Sequence, residues 1–156
     1  MSETRSLAGE KLTLHTDPAT GHKSLRSVAA WKEGDVLCSF GASSVLSSPT
    51  RYTLQIDEGK HILLEPEYLW FINHSCDPNI FFDTEAGEIV CIKPIAPADE
   101  ICFFYPSAEW HMAEPFQCHC GAELCLGTIQ GAGVLPVKVL ERYRLTPYIL
   151  RKWAQK

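Results

Sequence analysis

Short β-type runs of apolar residues alternate along this chain with turns rich in Gly, Pro, Asp and Ser. Candidate strands are Leu12–His15, Ser24–Ala29, Val36–Phe40, Thr53–Ile56, His61–Leu64, Ile80–Asp83, Ile89–Lys93 and Glu100–Phe104. Turns are predicted at Asp17-Pro18, Glu33-Gly34-Asp35, Asp57-Glu58-Gly59 and Glu85-Ala86-Gly87, the last joining two strands as a hairpin. Many short strands at fairly regular spacing predict a mostly β fold. Two stretches break the pattern. Pro66 to Ile72 predicts a single helical turn, with Pro66 near its start. Val134 to Ala154 predicts helix, split by Pro147 into Pro136–Arg144 and Thr146–Trp153, with Thr146 as N-cap and Pro147 at the first helical position. This C-terminal element is expected to pack over the domain; closing a substrate groove is its alternative role.

Composition narrows the picture without naming a function. A chain of 156 residues with 46% hydrophobic and 21% charged residues is one domain, or one domain with a small appendage. The longest apolar runs, such as Ile101 to Tyr105, are too short to span a membrane, and Met1 to Glu10 has no hydrophobic stretch of secretory type, so an intracellular protein is expected. A net charge of -5 argues against broad nucleic-acid binding and suits a basic peptide or protein substrate. Seven cysteines is an odd number, so complete pairing is excluded, and in a reducing compartment they read as metal ligands and buried thiols. Cys38, Cys91 and Cys102 lie among apolar neighbours and are expected to be small hydrophobes in strands.

Cys118, Cys120 and Cys125 offer three thiolates within eight residues, one ligand short of a tetrahedral zinc site. Gly121 permits the tight turn that would aim them at one centre. Cys76 would complete an all-thiolate site; His119 and His111 are the alternative fourth ligands, although extended backbone would point His119 away. Upstream, Asn73-His74-Ser75-Cys76-Asp77-Pro78-Asn79 places polar side chains between the apolar Trp70-Phe71-Ile72 and a turn stiffened by Pro78. Tyr105 ends a strand before Pro106, a position where a half-buried ring carries its hydroxyl at the rim.

Taken together, these segments resemble the SET domain and its post-SET zinc module, a family of protein-lysine methyltransferases using S-adenosylmethionine. Residues 73–79 match the family's Asn-His-Ser-Cys-x-Pro-Asn pattern without a gap, and Ala98-Asp99-Glu100-Ile101-Cys102-Phe103-Phe104-Tyr105 resembles its Gly-Glu-Glu-Leu-Thr-Tyr-Asp-Tyr strand. The resemblance implies a β fold of short sheets with a C-terminal pseudoknot, in which Asn79 supports the knot. It implies a SET domain over 11–112, a post-SET zinc module over 113–130 and a C-terminal helical extension over 131–156. Cofactor contacts fall by resemblance on Lys23, Ser24, Leu25, Phe40, Asn73, His74 and Tyr105, and structural zinc on Cys76, Cys118, Cys120 and Cys125. Tyr105 is the implied catalytic residue. Phe103 takes the position that influences how many methyl groups are added, and Phe104 and Trp110 are expected to join both in an aromatic channel for the lysine.

Some positions depart from the family pattern. Ser24 stands where a second glycine is usual, Ser39-Phe40-Gly41 lacks the usual tyrosine, and Trp70 replaces a common arginine. These bear on cofactor affinity more than on fold. The stretch between Phe40 and Asn73 is short for a substrate-holding insert, and no upstream cysteine-rich pre-SET module is visible. The implied function is transfer of a methyl group to a lysine of a basic protein, a histone tail above all, without direct nucleic-acid or membrane partners. The location would be nuclear or chromatin-associated with a histone substrate, and cytoplasmic otherwise. The alternative is a catalytically silent SET-like protein- or peptide-binding module.

Overall fold

The Asp57-Glu58-Gly59 and Glu85-Ala86-Gly87 turns reverse the chain where the sequence places them, each with its glycine at positive φ. Around them, a computed structural model describes residues 3–7 and 11–156 as a set of small sheets with few helical segments. In chain order the strands are β1 (Glu3–Leu7), β2 (Leu12–Thr16), β3 (Lys23–Ser27), β4 (Val36–Ser39), β5 (Gly41–Leu46), β6 (Thr53–Asp57) and β7 (Lys60–Glu65). There follow β8 (Asn73–His74), β9 (Ile80–Asp83), β10 (Glu88–Cys91), β11 (Cys102–Phe103), β12 (Phe116–Gln117) and β13 (Thr128–Ile129). Three antiparallel sheets have the orders β1-β2-β3, β4-β10-β9 and β5-β7-β6. The pair β11-β8 is parallel and sets Cys102 beside Asn73 and Phe103 beside His74. Among the described residues, no helix is long and apolar enough to cross a membrane.

Inward-facing positions of these strands meet in one core that includes Leu12, Leu25, Leu54, Ile62, Leu69, Ile80, Phe82, Ile89 and Ile101. Each such side chain contributes about 1.5–3 kcal/mol by leaving water. Cys91 is fully buried here and Cys38 packs on the rim, as small hydrophobes would. Burial pushes the Cys38 thiol up to about 11, so it stays protonated. A second cluster, Ala132, Leu140, Leu145, Tyr148 and Ile149, belongs to the C-terminal extension.

Strand edges differ from expectation where tertiary contacts intervene. The run Glu100–Phe104 narrows to β11, because the Asn79 side chain takes the Glu100 carbonyl and the Cys102 N–H. Ser24–Ala29 ends at Ser27, whose hydroxyl turns to the Ala29 carbonyl and accepts from the Trp31 indole. The helical turn at 66–72 forms as a 3-10 turn over Glu67–Phe71. Of the two C-terminal helices, α2 (Pro147–Ala154) starts as expected, its Ile149 N–H donating to the Thr146 hydroxyl. The other is only one turn, α1 (Val137–Leu140). Strand β5 has no apolar signature because all six of its residues are exposed; it is held by backbone pairing to β7.

Candidate active site

Strand β8 brings Asn73 and His74 beside β11, and the chain leaving β11 delivers Tyr105. The Tyr105 N–H donates to His74 Nδ1 at 3.1 Å, and its hydroxyl donates to the Ile72 carbonyl at 3.1 Å. Because Nδ1 accepts, the neutral ring carries its proton on Nε2, which lies 3.4 Å from Cys76 Sγ. Burial holds His74 at about 4, so the ring is neutral at physiological pH. Burial likewise raises the Tyr105 phenol well above its ordinary value, and it keeps its proton.

Asn73 gathers the cofactor-type motif expected at the N-terminus. Its amide Nδ2 donates to the Lys23 carbonyl at 3.0 Å and to Glu100 Oε2 at 3.0 Å, with His22 Nε2 at 3.2 Å. Ser24 and Leu25 are buried and paired to β2, and the Leu25 carbonyl also accepts from the Ile101 N–H. The only non-glycine residue with positive φ among the described residues is Ala98. Ser24 therefore adopts its place without the conformational freedom of a glycine, and it is buried.

The aromatic surroundings are partly those expected. Phe103 lies 4.7 Å from Tyr105 between ring centroids, and His74 lies 5.1 Å away. Phe104 is buried against a different partner, stacking on Tyr143 at 3.6 Å. Phe40 is separated from the site by Phe82 and Phe103, in an aromatic chain Phe40–Phe82–Phe103–Tyr105. Trp110 is a correction. Its ring packs with the C-terminal cluster and under the Lys152 and Lys156 ammonium groups, because its backbone N–H is tied to Gln55 Oε1. The aromatic that does meet Tyr105 is Phe116, 5.8 Å from it and 5.7 Å from His74. Sequence reasoning missed it, although an aromatic two residues before Cys118 was a usable signal. His22, Glu100 and the buried Glu109 were missed as well, and nothing local marked them.

Cys76, Cys118, Cys120 and Cys125 converge, their Sγ atoms all within 4.8 Å of one another. Metal–sulfur bonds of ~2.3 Å arranged tetrahedrally give sulfur separations of ~3.8 Å, so the four thiols fit one zinc ion with small adjustments. Neither His119 nor His111 joins the group. Burial raises Cys76 to about 11 and Cys118 to about 12, whereas Cys120, though also partly buried, is drawn down to about 6 by backbone N–H and thiol donors. With four protein sulfurs such a site has no open position; its role is to tie the 116–129 segment to the turn after His74. A cavity of about 380 Å³ flanks this turn, lined among others by Cys76, Phe104, Arg142 and Tyr143.

Comparison with known proteins agrees with this geometry. Residues 51–106 match the SET domain family model. The methyltransferase flvH of Aspergillus flavus is 36% identical over 128 residues, covering 81% of this chain and 71% of that protein. An H3 lysine-36 specific histone-lysine N-methyltransferase of Candida albicans is 32% identical over 95 residues, 53% of this chain but only 11% of that one. Among solved structures, KRYPTONITE in complex with mCHG DNA and SAH superposes with a TM-score of 0.57 at 23% identity, over 75% of this chain and 28% of that one. KRYPTONITE with mCHH DNA, an H3(1–15) peptide and SAH gives 0.56 at 22%, over 75% and 29%. The two structures establish the fold, and the Aspergillus relative, matched over most of both chains, carries the kinship: this chain belongs to the SET-domain family of methyltransferases.

Proposed function

We propose that the chain is an S-adenosylmethionine-dependent protein-lysine N-methyltransferase acting on a basic protein, with a histone tail as the leading substrate class. The observation that carries this reading is the joining of Tyr105 to both sides of the Asn73-His74 strand, through His74 Nδ1 and the Ile72 carbonyl. That arrangement holds one tyrosine hydroxyl in an aromatic enclosure of Phe103, His74 and Phe116. The SAH in the KRYPTONITE structures supports the cofactor, and their H3 peptide, with the lysine-specific Candida relative, supports the substrate class. KRYPTONITE also holds DNA, but this chain spans 28% of it, and a net charge of -5 offers a duplex no general basic footprint.

S-adenosylmethionine, when bound, supplies an electrophilic methyl group on a sulfonium. The residues that would hold it are Asn73 and His74 with the neighbouring Lys23-Ser24-Leu25 segment, which Asn73 joins at the Lys23 carbonyl; Phe40 enters only through the aromatic chain behind them. The protein's tasks are to orient the amine, exclude water and receive it unprotonated. An aromatic, desolvated channel favours the neutral amine over the ammonium ion. Tyr105, held protonated, acts as a hydrogen-bonding and electrostatic guide rather than as a base. Phe103 beside it sets the room left for an already methylated nitrogen. Cys76, Cys118, Cys120 and Cys125 would hold structural zinc. With a histone substrate the protein works at chromatin in the nucleus, and with another basic protein in the cytoplasm.

The test is transfer of labelled methyl from S-adenosylmethionine to core histones and to a whole-cell lysate, comparing wild type with Tyr105→Phe. Label on a discrete protein band, lost in the variant, supports the proposal. Label found only in the small-molecule fraction overturns the protein substrate. No label, with S-adenosylhomocysteine failing to bind a folded chain, leaves the silent binding module as the better reading.

A further inference from the structure

Tyr143 lies in the C-terminal extension, outside the family-matched residues 51–106 and beyond the cysteines of 118–125. Its contacts nevertheless reach both halves of the site. The ring stacks on Phe104, the residue before Tyr105, with centroids 3.6 Å apart and planes within 5°. The hydroxyl donates to the Cys76 carbonyl at 2.8 Å. Cys76 is thereby gripped at two points, its sulfur among the other three thiols and near His74 Nε2, its carbonyl on Tyr143. The extension is itself anchored just past Tyr105: the N–H of the fully buried Thr146 donates to the Ser107 carbonyl at 2.9 Å. One side chain thus touches the polar turn and the tyrosine segment from the outside, on an element held in register with the latter.

We propose that Tyr143 is a positioning residue for methyl transfer, an external brace that sets the distance between the cofactor-binding turn and Tyr105. The proposal rests on the function proposed above. A ring that merely filled space would need no hydroxyl, and a hydroxyl that merely satisfied a loop carbonyl would need no stack on the residue beside Tyr105. The two contacts together restrict the Cys76 peptide and the Phe104 side chain to one relative placement. Since His74 is two residues from the first and Tyr105 next to the second, the His74–Tyr105 hydrogen bond inherits that placement. Misplacement of such a pair weakens cofactor binding and catalysis even when the fold survives.

Full-length Tyr143→Phe removes only the hydroxyl, and Tyr143→Leu removes the stack as well. S-adenosylhomocysteine binding by calorimetry, steady-state methyl transfer, zinc content and thermal midpoint would be measured on both. For Tyr143→Phe the expected result is an S-adenosylhomocysteine Kd and a cofactor KM raised together about three- to tenfold, as for loss of one hydrogen bond, with zinc content unchanged. Tyr143→Leu should lose more and lower kcat too. Kd and KM within about twofold of wild type in both variants, whatever the thermal midpoint does, would leave Tyr143 as packing alone and overturn the proposal. Wild type that binds no S-adenosylhomocysteine would instead overturn the proposed function, so the two failures are distinguishable.

Discussion

The Tyr105 backbone N–H donates to His74 Nδ1, which fixes the imidazole tautomer and seats the tyrosine against β8. Through the same ring, Nε2 faces Cys76 Sγ, so the tyrosine and the four-cysteine cluster are linked by one side chain. A tyrosine and a metal site thirteen or more residues apart in sequence therefore share one rigid frame.

Tyr105→Phe is predicted to lower kcat about 100-fold, the scale for losing one preorganised polar group, while the chain stays folded. It loses only the bond to the Ile72 carbonyl, worth about 1 kcal/mol. Because the phenol stays protonated, the wild-type pH–rate profile should show no tyrosine ionisation between about pH 6 and 10. Steady-state kinetics and a chemical melt on the same samples check both statements.

Asn79→Ala is predicted to destabilise by about 2–4 kcal/mol, because it strands the Glu100 carbonyl and the Cys102 N–H together. For a chain of this size the thermal midpoint should fall by about 5–15 °C. Asn79→Asp should not rescue it, since a carboxylate cannot donate to the Glu100 carbonyl. A midpoint within about 2 °C of wild type would remove Asn79 from any role in holding β11.

Glu109 carries the pH prediction. Burial raises its carboxyl to about 8, with a single N–H donor from Gln55 opposing the shift. The unfolded chain releases this proton near pH 4.5 and the folded chain only near 8, so the unfolded state binds fewer protons between them. Stability from this group therefore falls as pH rises through that window, by up to about 1.4 kcal/mol per pH unit. Urea melts of wild type and Glu109→Gln should agree near pH 4 and diverge by pH 8, with the variant more stable.

Removing zinc by chelation is predicted to lower the thermal midpoint and to release the 116–129 segment, because four clustered thiols lose their common partner. Phe116 then leaves Tyr105 and His74, so cofactor binding should weaken in step with metal content. Metal analysis paired with calorimetry measures both; Cys120→Ser should reproduce the chelated state without chelator.

Ala98 adopts φ 77, a left-handed conformation that costs a residue with a Cβ about 1–2 kcal/mol. Ala98→Gly relieves this but loosens the unfolded chain by about 0.4–1 kcal/mol. The expected net is a gain of about 0.5–1 kcal/mol in a urea melt, with kinetics unchanged.

The local chemistry was legible in the sequence because it is contiguous. Asn73 to Asn79 lies in one uninterrupted run, Cys118, Cys120 and Cys125 within eight residues, and Thr146-Pro147 is a helix start by its own backbone chemistry. The strands β6, β7, β9 and β10 could be read for the same reason, since each is a short apolar run bounded by turn residues. Even the remote Cys76 was reachable, as a fourth soft ligand for three others.

What only the tertiary structure decided are relations between residues far apart, for which local pattern carries no signal. Asn73 meets Lys23, fifty positions away, and Glu100; Tyr143 meets Cys76, sixty-seven positions away. Trp110 was turned from the expected channel by a bond to Gln55, and Phe116 filled a place beside Tyr105. Exposed β5 has no buried face to mark it, and β8, β12 and β13 are too short to show a period; they form because a partner strand offers its N–H and C=O groups. The sequence by itself determined which chemical groups the protein has and the short elements that carry them. The fold decided which of those groups meet, because long-range pairing depends on the whole chain closing at once.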